Sequence, residues 1–319
     1  MTAKVAVISA GAYSFTLQAQ LLADILGGQV FVRPFRPAFP PDVMIIIGNV
    51  DVIPSMIPYY ASSVRLILYT VIEGDFPPNP IKSVVNVYRP YIVTPTNYVK
   101  SLLESHDIHV DAVIPHGIAY LPPSNVPAKD IDFLYIGEHQ RRKMPEWGIQ
   151  VLKRVADRLA LVSSASSPTV RDIRPRILYN SAKVPPWPGV PTASDKDIAS
   201  LYSRSKFYLN VSANEGFGLT PLEAEAFYAI PITPRLPALT EHLGDCPYWL
   251  DIDLNDYEIW QYGVLRLHLY HYDPGKLTEL ALNAKWTEER ARACAENASR
   301  YYYKRVYQHF AKLTQEVIA

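Results

Sequence analysis

The sequence has little cysteine, no excess of either charge and no long hydrophobic run. Only two of the 319 residues are cysteines, Cys246 and Cys294, and their separation lacks the close spacing of zinc-binding pairs. We therefore expect two buried thiols and neither a disulfide framework nor a metal site. Lys plus Arg and Asp plus Glu each total 31, so the basic excess of a nucleic-acid-binding protein is missing.

Hydrophobic runs stay shorter than the roughly 18 residues that a membrane-spanning helix requires. The N-terminus leads directly into KVAVISA, an apolar segment typical of a strand rather than of a signal peptide. The sequence therefore predicts a cytoplasmic protein without a transmembrane segment.

What the sequence does contain is an alternation of buried strands and helices. Near-continuous Val, Ile and Leu runs occur at residues 4–10, 29–35, 42–50 and 64–74, as a parallel sheet covered on both faces requires. A proline-rich stretch at 120–130 follows, and the alternation restarts at IDFLYIGE. A length of 319 residues also favours two domains. The pattern predicts two doubly wound α/β domains, 1–125 and 126–319, with ligands in a cleft between them.

Residues 214–227, NEGFGLTPLEAEAF, place two glutamates around a glycine-containing loop. Thr220 and Glu223 have the spacing of a capping box, which predicts that a helix opens at Thr220 and that Glu223 bonds its backbone N–H. Glu215 precedes that helix, where no capping rule needs it. We call Gly216, Phe217, Gly218 and Leu219 the glycine loop. Its amides, beside the positive end of the helix, suit a diphosphate, and Asn214 is a candidate for orienting Glu215.

This segment resembles a known family. VSANEGFGLTPLEAEAFYAIPITPRLPALTEHLGD is similar to the donor-site signature of family 4 glycosyltransferases of the GT-B fold, in which two glutamates in an E-x7-E arrangement flank a glycine loop. Further similar segments are LYIGEHQRRKMPEWGIQVLKRV, DKDIASLYSRSKFYLNVS, TPTNYVKSLLESHDI and VIPHGI. About 200 residues, from near 90 to near 290, carry the resemblance.

The resemblance implies roles for the signature residues. Glu215 would contact the hydroxyls of the donor sugar and Glu223 the hydroxyls of the ribose, with Thr220 beside it. The glycine-loop amides would contact the diphosphate. Capping of the helix remains the alternative role for Glu223, and its two carboxylate oxygens could serve both purposes.

Basic residues after the first strand of the second domain are the expected partners of the leaving diphosphate. The family uses an arginine directly after the strand's glycine and a lysine a few residues on, but here Glu138 follows Gly137. Arg142 and Lys143 align best with the family's basic pair, and Arg141 or Arg142 would replace the missing charge. The alternative is a solvated basic turn.

The resemblance thus implies a retaining, metal-independent hexosyltransferase that needs no cofactor and takes a UDP- or GDP-linked sugar. The acceptor would be a glycan, lipid, protein or small molecule, bound by the first domain, with the donor in the second, which would also hold a helical tail. Gly11, Glu73 and His116 are candidates near the acceptor or cleft, whereas His139 and His242 read as surface residues. The alternatives are a non-catalytic sugar-nucleotide-binding subunit, favoured by Glu138, and a nucleotide-sugar epimerase.

Overall fold

The computed structural model describes residues 4–33, 37–38, 40–57, 63–163, 172–181 and 190–318. Two compact units result. The first contains Met1–Ala119, Trp260–Leu267 and Arg300–Ala319, and the second contains Tyr120–Ile259 and His268–Ser299. Both have the parallel α/β architecture that the alternating sequence pattern predicts, so the predicted fold class is confirmed.

The first unit is built on a six-stranded parallel sheet in the order β2-β1-β3-β4-β6-β7. Val, Ile and Leu side chains fill both faces of its central strands, which explains why their sequences are almost uninterruptedly apolar. The strands are β1 (Val5–Ser9), β2 (Gln29–Val32), β3 (Val43–Asn49), β4 (Arg65–Val71), β5 (Gly74–Asp75), β6 (Tyr91–Thr94) and β7 (Ala112–Val113), of which β5 lies outside this sheet. The helices among them are α1 (Tyr13–Leu26), α2 (Ile53–Met56), α3 (Pro78–Tyr88) and α4 (Asn97–Glu104).

The second unit repeats the plan with a six-stranded parallel sheet in the order β10-β9-β8-β11-β12-β13. Its strands are β8 (Ile131–Ile136), β9 (Leu159–Ser163), β10 (Ile177–Asn180), β11 (Ser205–Leu209), β12 (Ile230–Pro234) and β13 (Tyr248–Leu250). Its helices are α5 (Glu146–Arg154), α6 (Asp195–Arg204), α7 (Leu219–Ala226), α8 (Pro237–Thr240), α9 (Pro274–Asn283) and α10 (Glu288–Arg300). Two further strands are β14 (Tyr257–Tyr262) and β15 (Leu265–Tyr270), which lie side by side. Their stretch Trp260–Leu267 belongs to the first unit, and it is within that unit that Arg266 and Leu267 of β15 pair with β5.

The C-terminal tail differs from the prediction. It was expected in the second domain, and α10 lies there as far as Ser299. In contrast, α11 (Tyr303–Val306) and α12 (Gln308–Ile318) belong to the first unit, where Tyr307 and Phe310 are buried. Gly117 permits this packing, because a Cβ there would come within 2.6 Å of the Tyr303 Cα. The division of the chain falls between Ala119 and Tyr120, ahead of the predicted boundary at 125.

The cysteines also differ from the prediction. Cys246 and Cys294 form a disulfide, with Cα atoms 5.3 Å apart. The bond joins the segment before β13 to α10 across 48 residues of sequence, and this proximity arises only from tertiary packing. No helix in the described part of the chain is both long and apolar enough to cross a membrane.

Candidate functional site

Helix α7 begins at Leu219, with its N-cap two residues before the predicted cap, Thr220, and the predicted capping box is not formed. Gly218 is its N-cap residue, with a φ of 88° and no side-chain capping hydrogen bond. The backbone angle at Gly218 favours glycine, and a Cβ there would collide with the end of the Leu239 side chain of α8, which would have to shift. The Thr220 hydroxyl, expected to cap the helix, lies instead 2.8 Å from the hydroxyl of Tyr208 on β11.

Glu223 bonds a tyrosine rather than the start of its own helix. Tyr202 of α6 is fully buried, and its hydroxyl donates a hydrogen bond to Glu223 Oε2 at 3.0 Å. Burial raises the pKa of Glu223 to about 7, although the hydrogen bond from Tyr202 lowers it in part. The capping interpretation of Glu223 is therefore wrong, and its carboxyl is held beside the first turns of α7.

Glu215 is only 3% exposed and lies among positive charges. The Lys143 ammonium group hydrogen-bonds and ion-pairs with Glu215 Oε2, and Arg142 Nη1 lies 3.9 Å from the same oxygen. Burial alone would raise the pKa of Glu215, but the charges of Lys143 and then Arg142 outweigh it and leave the pKa below its ordinary value. Glu215 is thus a buried, ionised carboxylate.

The basic turn after β8 is attached to the strand ends by its backbone. The Tyr135 hydroxyl donates to the Lys143 carbonyl oxygen at 2.8 Å, and the Ala213 N–H donates to the Arg142 carbonyl oxygen at 2.7 Å. These bonds direct two of the three predicted basic residues, Arg142 and Lys143, toward Glu215.

Arg141 points elsewhere. Its Nη2 lies 2.8 Å from Glu258 Oε1 on β14, and its Nε lies 3.8 Å from Glu146 Oε2. Glu138, at the position of the family's arginine, accepts a hydrogen bond from Gln140 Nε2 at 3.1 Å. Arg142 and Lys143 of the turn therefore face Glu215, whereas Arg141 faces Glu146 and Glu258.

Asn214 anchors the start of the loop. Its Oδ1 accepts the Glu215 N–H at 2.7 Å and its Nδ2 donates to the His268 carbonyl oxygen of β15 at 2.9 Å. Asn214 is completely buried, so the amide has little freedom to move. The predicted role of Asn214, orienting Glu215, remains a prediction, and this geometry suits it.

The candidates of the N-terminal half all belong to the first unit. Gly11 follows β1 with a φ of 95°, which favours glycine. Glu73 is buried just before β5, and the buried His116 ring meets the Tyr69 ring edge-on at a centroid distance of 4.9 Å. Their proposed contacts with an acceptor remain predictions.

One residue near the glycine loop was misread from the sequence. His242, interpreted as a surface residue, is 3% exposed, and its ring lies parallel to that of Phe217. Two helices and a strand separate it from the loop in the sequence, so no local pattern could have indicated the contact.

Among the described residues, one group has the composition and spacing to hold a metal ion. It consists of Glu225, Cys246 and Cys294, all buried. The two sulfur atoms are joined in the disulfide, so the thiolates that would bind a metal are absent from this arrangement.

The fold has known relatives among solved structures. The pneumococcal O-GlcNAc transferase GtfA, solved with UDP and GlcNAc, matches 86% of this chain with a TM-score of 0.60 and 15% identity, and this chain spans 57% of that protein. A glycosyltransferase from Rickettsia africae matches with a TM-score of 0.65 and 13% identity over 99% of both chains. Anabaena HepE, solved with UDP and glucose, matches 98% of this chain and all of its own with a TM-score of 0.63 and 11% identity.

Sequence comparison gives a shorter match. A protein provisionally named glycosyltransferase 41, from Sulfolobus islandicus filamentous virus, is 47% identical over 62 residues, which is 19% of this chain and 19% of that protein. No known protein-family profile matches the sequence. The chain therefore has the two-domain Rossmann-like GT-B fold of solved glycosyltransferases.

Proposed function

We propose that this protein is a glycosyltransferase that moves a hexose from a UDP- or GDP-sugar to an acceptor hydroxyl. The observation that carries the proposal is the buried Glu215 carboxylate beside Lys143 and Arg142, at the end of a parallel sheet and directly before the glycine loop. In open α/β sheets, ligands bind at the carboxyl ends of the strands. The solved relatives that hold UDP with a sugar share this fold.

The chemistry of the site matches what sugar transfer demands. A departing nucleoside diphosphate carries growing negative charge, which positioned cations stabilise without any proton transfer. Lys143 and Arg142 supply such charge, and the start of α7 adds the positive end of a helix dipole. We infer that no metal ion or other cofactor is needed.

The two glutamates recognise hydroxyl groups in this proposal. Glu215, ionised, accepts hydrogen bonds from the donor sugar, and Glu223 accepts them from the ribose. The Tyr202 hydroxyl fixes one oxygen of Glu223 and leaves the other to the ligand, since a carboxylate has two oxygens.

We further propose that transfer proceeds with retention at the anomeric carbon, as the resemblance to family 4 implies. The acceptor oxygen attacks the anomeric carbon from the face that the diphosphate leaves. The bond between the anomeric carbon and the diphosphate oxygen breaks, and that oxygen takes the acceptor's proton. Nucleoside diphosphate and glycoside are the balanced products.

A second function is favoured by one feature of the basic turn. Glu138 stands where the family has an arginine, and Arg141 is paired with Glu258. With less positive charge near the diphosphate, the protein would bind a sugar nucleotide without transferring the sugar. The second candidate is therefore a non-catalytic sugar-nucleotide-binding subunit.

Donor turnover separates these functions. The protein is incubated with a panel of UDP- and GDP-sugars, with and without a chelator, and released nucleotide is measured together with donor binding. We expect at least one donor to be bound and turned over with the chelator present. Binding without nucleotide release would instead support the second function, and absence of binding by the folded protein would refute both.

Lys143→Gln is the informative variant for the leaving group, because it removes the charge next to Glu215. Lys153→Gln is the matched control, since Lys153 lies on α5 and only approaches Asp172 at 4.0 Å. Nucleotide release should fall strongly in the first variant and remain unchanged in the second. Equal activity of both would exclude Lys143 from the reaction.

A further inference from the structure

The segment behind the glycine loop contains a histidine that contacts the loop directly. His242 follows α8 and is 3% exposed. Its imidazole lies 4.1 Å from the Phe217 ring, centroid to centroid, with an angle of only 5° between the planes. The stack therefore covers one face of the only aromatic side chain within the glycine loop.

Polar contacts connect the same segment to the glycine loop and to helix α7. The backbone groups of Gly218 and Ala238 lie close enough to the His242 imidazole to act on its pKa, which they raise. Its own carbonyl oxygen accepts a hydrogen bond from Asn297 Nδ2 at 2.8 Å, and that amide also donates to Glu225 on α7 at 2.9 Å. The histidine is thus held in place from its backbone while its ring meets the loop.

A second residue of the same segment, Leu239, restricts the position of the glycine loop. Leu239, three residues earlier, occupies the space where a side chain at Gly218 would lie. Leu239 therefore packs under the second glycine of the loop while His242 packs against its phenylalanine. This pair of contacts restricts the path of the loop at two neighbouring residues, Phe217 and Gly218.

The histidine is uncharged under ordinary conditions. Burial lowers the pKa of His242 to about 4, although the Gly218 and Ala238 carbonyls and the charge of Glu215 oppose this effect. At neutral pH the ring adds no positive charge beside Glu215, whose charge stays with Lys143 and Arg142. His242 acts through shape and contact and not as a proton carrier.

We propose that His242 is a positioning residue that holds the glycine loop, through Phe217 and Gly218, in the shape that receives the diphosphate of the sugar nucleotide. The role in donor binding rests on the proposed function. The role in holding the loop does not, and the two can be tested separately.

Hydrogen exchange measured by mass spectrometry tests the loop in the absence of any ligand. His242→Ala removes the stack and the polar contact, whereas His242→Phe keeps a flat ring against Phe217. We expect faster exchange in peptides covering residues 214–222 of the alanine variant, with unchanged exchange on the β8 and β9 strands, and a return toward the wild-type rate in the phenylalanine variant. Wild-type exchange in His242→Ala would overturn the proposal, as would an equal increase throughout the second unit that His242→Phe does not correct.

Calorimetric titration with UDP and GDP tests the consequence for the donor. The affinity of His242→Ala should fall by roughly tenfold for the nucleotide that the wild type binds, since an aromatic pair and a contact to the backbone are lost. His109→Ala is the control, because that histidine is exposed in the first unit beside Asp111. Undiminished affinity in His242→Ala would contradict the role in donor binding. If the wild type binds neither nucleotide, the proposed function fails, and hydrogen exchange still decides whether His242 holds the loop.

Discussion

At the scale of single residues, the site depends on a balance between burial and charge. Glu215 is buried and still ionised, because Lys143 and Arg142 lie against it. The pKa of Glu223, eight residues on, is set by burial and by the hydrogen bond from Tyr202. Burial is the larger effect and raises this pKa to about 7. The sequence indicates both carboxylates by their spacing, but their different charge states follow from neighbours that only the folded chain supplies.

Replacing Glu215 by glutamine should lower turnover by a hundredfold or more. The substitution removes a charged contact to the donor, a loss on the order of 3 kcal/mol, and removes the carboxylate charge that pairs with Lys143. Steady-state kinetics with the preferred donor measures the effect. Glu279→Gln, an exposed position on α9, is the control and should retain full activity; full activity in Glu215→Gln would remove that residue from the site.

Glu223 should make stability depend on pH. The folded-state pKa, about 7, lies above the ordinary value of 4.5, so the folded protein binds the proton more tightly than the unfolded chain. Its stabilising effect is present below pH 4.5 and is lost as the pH rises toward 7, by up to about 3 kcal/mol. Glu223→Gln cannot ionise, so its free energy of unfolding should rise relative to the wild type over this range. Urea titrations at several pH values measure this, and a constant difference would show that Glu223 titrates normally.

At the scale of secondary-structure elements, the start of α7 determines the geometry of the site. The sequence predicts the helix correctly but places its N-cap at Thr220 rather than Gly218, because Thr220 and Glu223 have capping spacing. The helix starts earlier because Gly218 adopts a left-handed backbone conformation and becomes the N-cap residue in place of Thr220. The two tyrosines that engage Thr220 and Glu223 come from β11 and α6, and no local pattern indicates them.

Gly218→Ala tests this account of the helix start. Gly263→Ala is a matched control, because Gly263 also has a positive φ, 61°, but nothing lies within 4 Å of a Cβ there. The control should lose about 1 kcal/mol of unfolding free energy from backbone strain. Gly218→Ala should lose roughly 2 kcal/mol more, because its Cβ also collides with Leu239. Equal losses in denaturant titrations would mean that Leu239 readily moves aside.

The disulfide between the β13 segment and α10 should contribute measurably to stability. Closing a loop across 48 residues reduces the freedom of the unfolded chain, an effect of about 2–4 kcal/mol. A reducing agent should therefore lower the denaturation midpoint of the wild type. The double variant Cys246→Ala/Cys294→Ala should start from a lower midpoint and show no response to the reductant; a response of that variant would assign the effect to something other than the disulfide.

At the scale of the whole molecule, the sequence predicts the two α/β sheets correctly but does not predict to which unit each segment of the chain belongs. Two doubly wound parallel sheets follow from the repeated apolar strands and the proline-rich stretch between the two series. The tail is misassigned because an amphipathic helix shows which face is buried but not which core covers it. Tyr307 and Phe310 pack against the six-stranded sheet of the first unit. The nearest strand of that sheet along the chain ends at Val113, almost 200 residues before Tyr307. The disulfide escapes prediction for the same reason.

We propose that the second unit holds a sugar nucleotide around Glu215, and a crystal structure of the protein with a UDP- or GDP-sugar would show where the donor binds. We predict the diphosphate within hydrogen-bonding distance of Lys143, Arg142 and the amides of the glycine loop, with the ribose at Glu223 and the sugar at Glu215. A nucleotide bound elsewhere, away from these residues, would contradict the account.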